Sequence, residues 1–292
     1  MTSTVSLIGF GEAGQAFAGA EGWQGRARVY DQLTDDEAAR PAKHADYRRA
    51  GAEGADSLAQ ALSDSPLVLS LVTADQALAV AEMAAPHLAP GAVFCDMNSV
   101  APGTKRRAAA AVEAAGAHYV DVAILSPVHP ARLAVPLLLS GGEAASAARA
   151  LAGIGFANCR TVGAEVGLAS SIKMIRSVMV KGIEALTAEC MLAASAAGVT
   201  EEVLASLDAS ERAEPWARRA AYNLDRMIVH GLRRADEMDE VVRTLEDLGV
   251  DPVLSRATAR RQREVGSLAL GQSATDLSGR IEQIENGEAR AA

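Results

Sequence analysis

The stretch SSIKMIRSVMVKG, residues 170–182, places Lys173 inside a largely apolar run with the composition of a helix. An ammonium is costly to bury without a partner, so such a lysine either snorkels to water along its stem or uses its charge in chemistry. Ala169, Ser170 and Ser171 are small and leave room for another group to approach, which makes Lys173 the better candidate for chemistry. By helical spacing Arg176 and Ser177 share its face. The amine can move a proton, the guanidinium can hold a carboxylate, and the hydroxyl can orient a polar group.

A second constellation stands near the chain start. The run VSLI, residues 5–8, leads into GFGEAG, which sets Gly9, Gly11 and Gly14 at the spacing of a dinucleotide-binding turn, with Glu12 and Ala13 inside it. Gly9 permits the tight turn, Gly11 lets backbone approach a pyrophosphate at a helix N-terminus, and Gly14 lets the helix pack on the strand. Asp31 ends the next strand-like run, 20 residues after Gly11, where a carboxylate can accept hydrogen bonds from an adenosine ribose. It would also repel a 2′-phosphate, and Gln32 rather than an arginine follows it. NAD is therefore the expected cofactor, with Arg28, Arg40 and Lys43 leaving NADP open.

The elements that must position these groups are legible as alternating runs. Strand-like segments recur at 5–8, 28–30, 67–72, 92–97, 119–124 and 137–140, with helical stretches between, which is the pattern of a parallel sheet covered by helices. Asp75 is placed to cap one helix, and PGTKRRAAAAVEAAG starts at Pro102 and stops at Gly116. After Gly163 the strands end, and AEVGLASSIKMIRSVMVKGIEALTAECMLAASAAG runs to Gly198 without a proline. Such a helix is about nine turns long, on the order of 45–50 Å. Further helices are expected at 200–208, 211–230, 232–248 and 252–269, and near 276–286. The fold class is thus an α/β Rossmann domain, residues 1–163, followed by an all-α domain, residues 164–292, built on one long helix.

Composition narrows the partners. The 292 residues are 49% hydrophobic and 22% charged, the profile of an ordinary globular protein. Acidic residues outnumber basic ones, 37 to 28, for a formal charge of −9, and no Lys/Arg run alternates with aromatics, so nucleic acid is not an expected partner. Cys95, Cys159 and Cys190 are odd in number and form no CxxC pair, which points away from a disulfide framework or a metal site and towards a reducing cytoplasm. The opening MTSTVSLIGFG does not have the basic and apolar pattern of a secretory signal, so export is not expected, and Asp75 and Glu82 interrupt the most apolar stretch before a membrane span is reached.

Together the two halves resemble the 3-hydroxyacid dehydrogenase family, which includes 3-hydroxyisobutyrate and 6-phosphogluconate dehydrogenases. The likeness covers nearly the whole chain. It is carried by LIGFGEAG, by FCDMNSVAP with Asp96, Ser99 and Pro102, by LLLSGG with Gly141 and Gly142, and by GLASSIK from Gly167 to Lys173. The resemblance implies that Lys173 is the general acid/base, that Val72 and Ser99 contact the cofactor, and that the protein is a homodimer through its helical domain. Departures mark a divergent branch. Ser177 stands where family members carry asparagine, and Arg176 where 6-phosphogluconate dehydrogenase has histidine. LSPVHPAR replaces the Ser-Gly-Gly substrate loop, leaving Ser126 and His129 as candidates for that role, and Arg233 and Arg234 stand near a missing late Lys-Asp pair.

The expected reaction is hydride transfer between a nicotinamide cofactor and a 3-hydroxy acid or its oxo acid, with Lys173 and Ser177 catalytic and Ser126, His129 and Arg176 on the substrate carboxylate. Oxidising an alcohol requires its hydroxyl proton to leave, and a lysine amine beside other cations can accept it. The alternatives are an imine or semialdehyde reductase and a non-catalytic NAD-binding protein.

Overall fold

The computed structural model describes residues 4–210 and 214–291. The chain divides into two compact units, Met1–Val178 and Met179–Ala292.

The first unit opens with β1 (Thr4–Ile8), α1 (Glu12–Ala18), β2 (Arg26–Tyr30), α2 (Arg40–Arg49), β3 (Glu53–Gly54) and α3 (Leu58–Leu62). There follow β4 (Leu67–Ser70), α4 (Ala77–Ala84), β5 (Val93–Asp96), α5 (Pro102–Ala114), β6 (His118–Ile124), β7 (Leu137–Ser140), α6 (Ala144–Gly153) and β8 (Cys159–Gly163). The helix α7 (Leu168–Ala196) begins in this unit and continues into the second. The eight strands form one sheet in the order β3-β2-β1-β4-β5-β6-β7-β8. The first six of these positions are the doubly wound dinucleotide-binding order, with every neighbouring pair parallel.

Alternation along the strands builds a core on each face. Val5, Leu7, Val29, Leu69, Cys95, Val120 and Leu139 are buried on one face with Phe17 of α1 and Leu151 of α6. Ile8, Val68, Phe94 and Tyr119 point to the other, against Leu62, Val80, Ala84, Ala108 and Val112 of α3, α4 and α5. Strands buried on both sides read as continuous apolar runs, which is why they stand out in the sequence.

Two local expectations are corrected. LLLS is β7 as expected, but it pairs with β6 antiparallel, with Asp121 opposite Ser140. The connection, residues 125–136, contains only one short 3₁₀ turn; a parallel return needs a full crossover, usually a helix. Asp75 does not cap α4: Gln76 occupies that position without a side-chain cap, and the Asp75 carboxylate accepts from Gln76 Nε2 at 3.0 Å. The short β3 and the edge strand β8 had no apolar signal, since both are largely solvent-facing.

The second unit holds the rest of α7 with α8 (Thr200–Ser210), α9 (Trp216–Asp247), α10 (Val253–Ser267) and α11 (Leu277–Ala291). Where a break was expected at Gly231, α9 runs through as one helix of 32 residues. The glycine serves packing instead: a Cβ on Gly231 would lie 2.8 Å from Gly266 Cα, and one on Gly266 would lie 2.5 Å from Leu232 N. Two helix backbones touch at that pair, α9 against α10. Ile228, Val265 and Ile284 form the small core of α9, α10 and α11. From α7, the Glu189 carboxylate caps α10, accepting from the amides of Leu254 and Ser255 at 3.0 Å each and from Ser255 Oγ at 2.5 Å.

Candidate functional site

The candidate site lies in the first unit, at the carboxyl ends of the parallel strands, where α/β sheets receive ligands. Over β1, β2 and β4 opens a cavity of about 640 Å³ lined by the glycine turn from Gly9 to Ala13, by Asp31 and Lys43, and by Val72. Gly9 adopts φ +83°, and a Cβ there would sit 2.6 Å from the Leu71 carbonyl oxygen, so the turn needs glycine. Gly11, at the N-cap of α1, faces open space: a Cβ on it would meet nothing within 4 Å. Gly14 packs on Phe10, whose ring a Cβ would approach to 2.9 Å. A narrow turn with open room over the first helical amides suits the pyrophosphate of a dinucleotide.

Asp31 does more than line the cavity. Oδ2 accepts from Phe10 N at 2.7 Å and Oδ1 from Leu33 N at 3.0 Å. Lys43 Nζ lies 3.5 Å from Oδ2 and donates to the Phe10 carbonyl oxygen at 2.8 Å. The carboxylate therefore braces the glycine turn, and each oxygen keeps acceptor capacity for a ribose hydroxyl. Tyr30, also on the cavity wall, is pushed up to about 12 by burial and by the Asp35 carboxylate to which its hydroxyl donates at 2.6 Å.

Beyond the cavity, at the ends of β5 and β6, the structure gathers the polar face of α7. Lys173 Nζ donates to Ser99 Oγ, in the segment that leaves β5. Arg176 Nη1 donates to the Leu125 carbonyl oxygen at 3.2 Å, beside Ser126. Ser126 Oγ turns to the Pro127 carbonyl oxygen at 3.2 Å, and Ser177 Oγ to the Lys173 carbonyl oxygen at 2.9 Å, so both hydroxyl protons are used locally. His129 lines a different depression, with Gln15, Asp46, Arg49 and Arg132. Arg233 and Arg234 lie on α9, in the second unit.

Below Lys173 and Ser99 is a buried polar network that residue-by-residue reading missed. Lys105 of α5, 0% exposed, lies 2.9 Å from Asp96 Oδ1 and 3.4 Å from Asp121 Oδ1. Tyr119 donates to Asp96 Oδ2 at 2.6 Å, and burial together with that carboxylate raises the phenol far above its ordinary range. Asn98 donates to Ser70 Oγ at 3.0 Å, while its Oδ1 is buried and has no hydrogen-bond partner among the described residues. The available signal was an aspartate in each of two apolar strands, AVFCDM and YVDVAI, since a buried carboxylate requires a partner. Among the described residues no group of three or more His, Cys, Asp or Glu could hold a metal ion, and no helix is long and apolar enough to cross a membrane.

Comparison with known proteins agrees with this architecture. Residues 4–159 match the NAD binding domain of 6-phosphogluconate dehydrogenase, and residues 194–265 match a domain of unknown function, DUF1932. The chain belongs to the family defined by that NAD binding domain. A conserved hypothetical protein from Sinorhizobium meliloti 1021 is 38% identical, covering 98% of this chain and 97% of its own, with a TM-score of 0.61. A conserved protein of unknown function, described as structurally similar to 3-hydroxyacid dehydrogenases, is 28% identical over 96% of this chain and 99% of its own, TM-score 0.59. An imine reductase variant from Myxococcus stipitatus, solved in complex with NAD+, shares the fold at 18% identity, covering 98% of this chain and 100% of its own, TM-score 0.73. The protein thus has a 3-hydroxyacid dehydrogenase-like fold with a nicotinamide-dinucleotide site, the class of NAD(P)-dependent oxidoreductases.

Proposed function

We propose that the protein is a dehydrogenase of 3-hydroxy acids in which Lys173 exchanges the substrate's hydroxyl proton. The observation that carries the reading is the hydrogen bond from Lys173 Nζ to Ser99 Oγ, which holds the amine at the carboxyl edge of the sheet. Bound in the glycine-turn cavity, the nicotinamide cofactor supplies the hydride acceptor or donor. The protein's own part is to bind, orient and move a proton. Lys173 accepts the hydroxyl proton in oxidation and returns it in reduction. Ser99 fixes the amine. Arg176, with donors left after its bond to the Leu125 carbonyl, holds the substrate carboxylate, and the Ser126 and Ser177 hydroxyls turn from their carbonyl partners to donate to the substrate's oxygens. His129, in its separate depression, has no part in this proposal.

NAD is the proposed cofactor, because the residues lining the cavity include three acids, Glu12, Asp31 and Asp35, against Lys43, an excess of negative charge that disfavours a 2′-phosphate. We further propose a homodimer through α7, on which Ile175 is 71% exposed and Ile172, Met179, Ile183 and Leu186 are also uncovered.

A panel of 3-hydroxy acids assayed with NAD+ and NADP+ tests the reading. Turnover is expected with NAD+, together with a loss of about 100-fold or more in kcat for Lys173→Ala at near-parent NADH affinity. Parent turnover in that variant refutes the role. A second reading, reduction of a C=N bond, draws on the fold shared with the Myxococcus stipitatus imine reductase. NADH consumption with cyclic imines, and none with 3-oxo acids, would favour it.

A further inference from the structure

Lys105 is the most deeply buried cation among the described residues, and neither the cofactor cavity nor the proposed proton transfer uses it. Its ammonium touches two acids, each of which holds a different part of the site. On one side are Asp96 Oδ1, at 2.9 Å, and the Asp96 carbonyl oxygen, at 2.6 Å. Asp96 Oδ1 also accepts from Asn98 N at 2.9 Å, which fixes the turn that presents Ser99. On the other side is Asp121 Oδ1, at 3.4 Å. Asp121 grips the first turn of α7: Oδ2 accepts from Ser170 N at 2.9 Å and Oδ1 from Ser170 Oγ at 2.6 Å. Ser140 reinforces that grip, donating to Asp121 Oδ2 at 3.3 Å and accepting from Ala169 N at 3.1 Å.

Lys173 stands three residues after Ser170, less than one helical turn away. Gly167 brings the same end of α7 against the start of α5, since a Cβ on it would lie 3.1 Å from Pro102 Cβ. One ammonium therefore joins the acid that sets the Ser99 turn to the acid that sets the Lys173 turn. We infer that Asp121, with Lys105 as its buried partner, is a positioning residue that fixes the register of Lys173 against Ser99. This rests on the proposed proton transfer by Lys173.

Stability alone gives little reason for such an arrangement. Two carboxylates and an ammonium out of water lose about as much hydration as their attraction returns, and well-packed apolar side chains would serve the core equally well. The network does supply fixed directions. Each acid is held by several bonds of defined geometry, so neither the turn nor the helix end can slide without breaking them. A displacement of about 1 Å at a reacting group can cost on the order of 100-fold in rate.

The test uses the full chain in three variants, Asp121→Asn, Ser170→Ala and Lys173→Ala. Asp121→Asn removes the charge that faces Lys105 and turns one of the two acceptor oxygens into an amide donor, so the bonds to Lys105, Ser140 and both Ser170 donors cannot all be kept, and Ser170→Ala removes one bond with little change of volume should the first variant fail to fold. Two readouts are taken. The first is kcat against KM on the 3-hydroxy acid the parent oxidises fastest, with NADH affinity measured by fluorescence. The second needs no turnover. The chain has only four lysines, at 43, 105, 173 and 181, so [ε-13C]lysine labelling yields four resonances, with Lys173 identified by its loss in Lys173→Ala. Positioning predicts a 10- to 100-fold fall in kcat with KM and NADH affinity within about 3-fold of the parent. It also predicts a shifted or sharpened Lys173 resonance beside an unmoved Lys43. Parent kcat, or a Lys173 resonance identical to the parent's, in a folded Asp121→Asn or Ser170→Ala variant overturns the inference. If Lys173→Ala itself turns over like the parent, the proton-transfer reading fails, and the resonance alone decides whether the network holds Lys173 in place.

Discussion

Two glycines of one motif should fail in opposite ways when given a methyl group. At Gly9 the backbone is left-handed, φ +83°, and an added Cβ would lie 2.6 Å from the Leu71 carbonyl oxygen and 2.9 Å from Val72 Cγ1. The conformation costs an alanine about 1–2 kcal/mol, and relieving the overlap against backbone of β1's neighbour costs about 1–3 kcal/mol more. Gly9→Ala should therefore destabilise the first unit by about 2–5 kcal/mol, a large part of a typical domain's total of about 5–15 kcal/mol. At Gly11 the backbone has φ −80° and the position of the Cβ is empty to 4 Å, so Gly11→Ala should cost about 1 kcal/mol at most, from the poorer N-cap, and less than Gly9→Ala. Its methyl instead occupies the opening of the cavity, where the dinucleotide backbone is expected, and NADH affinity should fall at least about 10-fold, or about 1.4 kcal/mol. Urea unfolding followed by circular dichroism and NADH titration followed by fluorescence separate the two effects. Parent stability for Gly9→Ala refutes the strained-turn account, and parent NADH affinity for Gly11→Ala refutes the placement of the cofactor.

Other outcomes follow from the same geometry. Glu189→Ala removes three hydrogen bonds from the start of α10 and should cost about 0.5–2 kcal/mol in the helical unit, read as a lower urea midpoint; an unchanged midpoint rejects the cap. Burial acts to raise the Glu189 carboxyl, but the bonds from Ser255 and Leu254 prevail and hold it below its ordinary 4.5. Its contribution to stability is thus complete above about pH 4.5 and is lost as pH falls through the depressed folded value, so Glu189→Gln should flatten the acid limb of stability against pH. Cys95 is wholly buried and pushed up to about 12 by desolvation, whereas Cys190 is exposed. A thiol reagent at neutral pH should label Cys95 only on unfolding; rapid labelling of Cys95 in the folded protein contradicts its placement. Sedimentation at micromolar concentration should show a dimer, and a monomer alone would reject the proposed use of the uncovered α7 face.

Some of this molecule is written locally. The glycine turn can be read because each glycine answers a need settled by its immediate neighbours, a strand before it and a helix after it. Five of the six strands read from the sequence stand out because burial on both faces demands unbroken apolar runs, whereas β2, RARVY, is buried only at alternate residues. Lys173 stands out because a charge in an apolar helix needs a reason. Gly231 shows the limit of such reading: a glycine in a helical run looks the same whether it ends the helix or admits a second helix against it, and only the approach of α10 decides.

By itself, then, the sequence determined the alternation of strand and helix, the dinucleotide turn and the lysine-bearing helix, all properties of short windows with their own periodicity. The tertiary structure alone decided the reversal of β7, the bracing of Asp31 by Lys43 and Phe10, and the meeting of Lys173 with Ser99, 74 residues away. It also decided that Lys105 would join Asp96 to Asp121. The meeting of Lys173 with Ser99 and the joining of Asp96 to Asp121 exist only once the sheet has set the ends of β5 and β6 side by side beneath the first turn of α7.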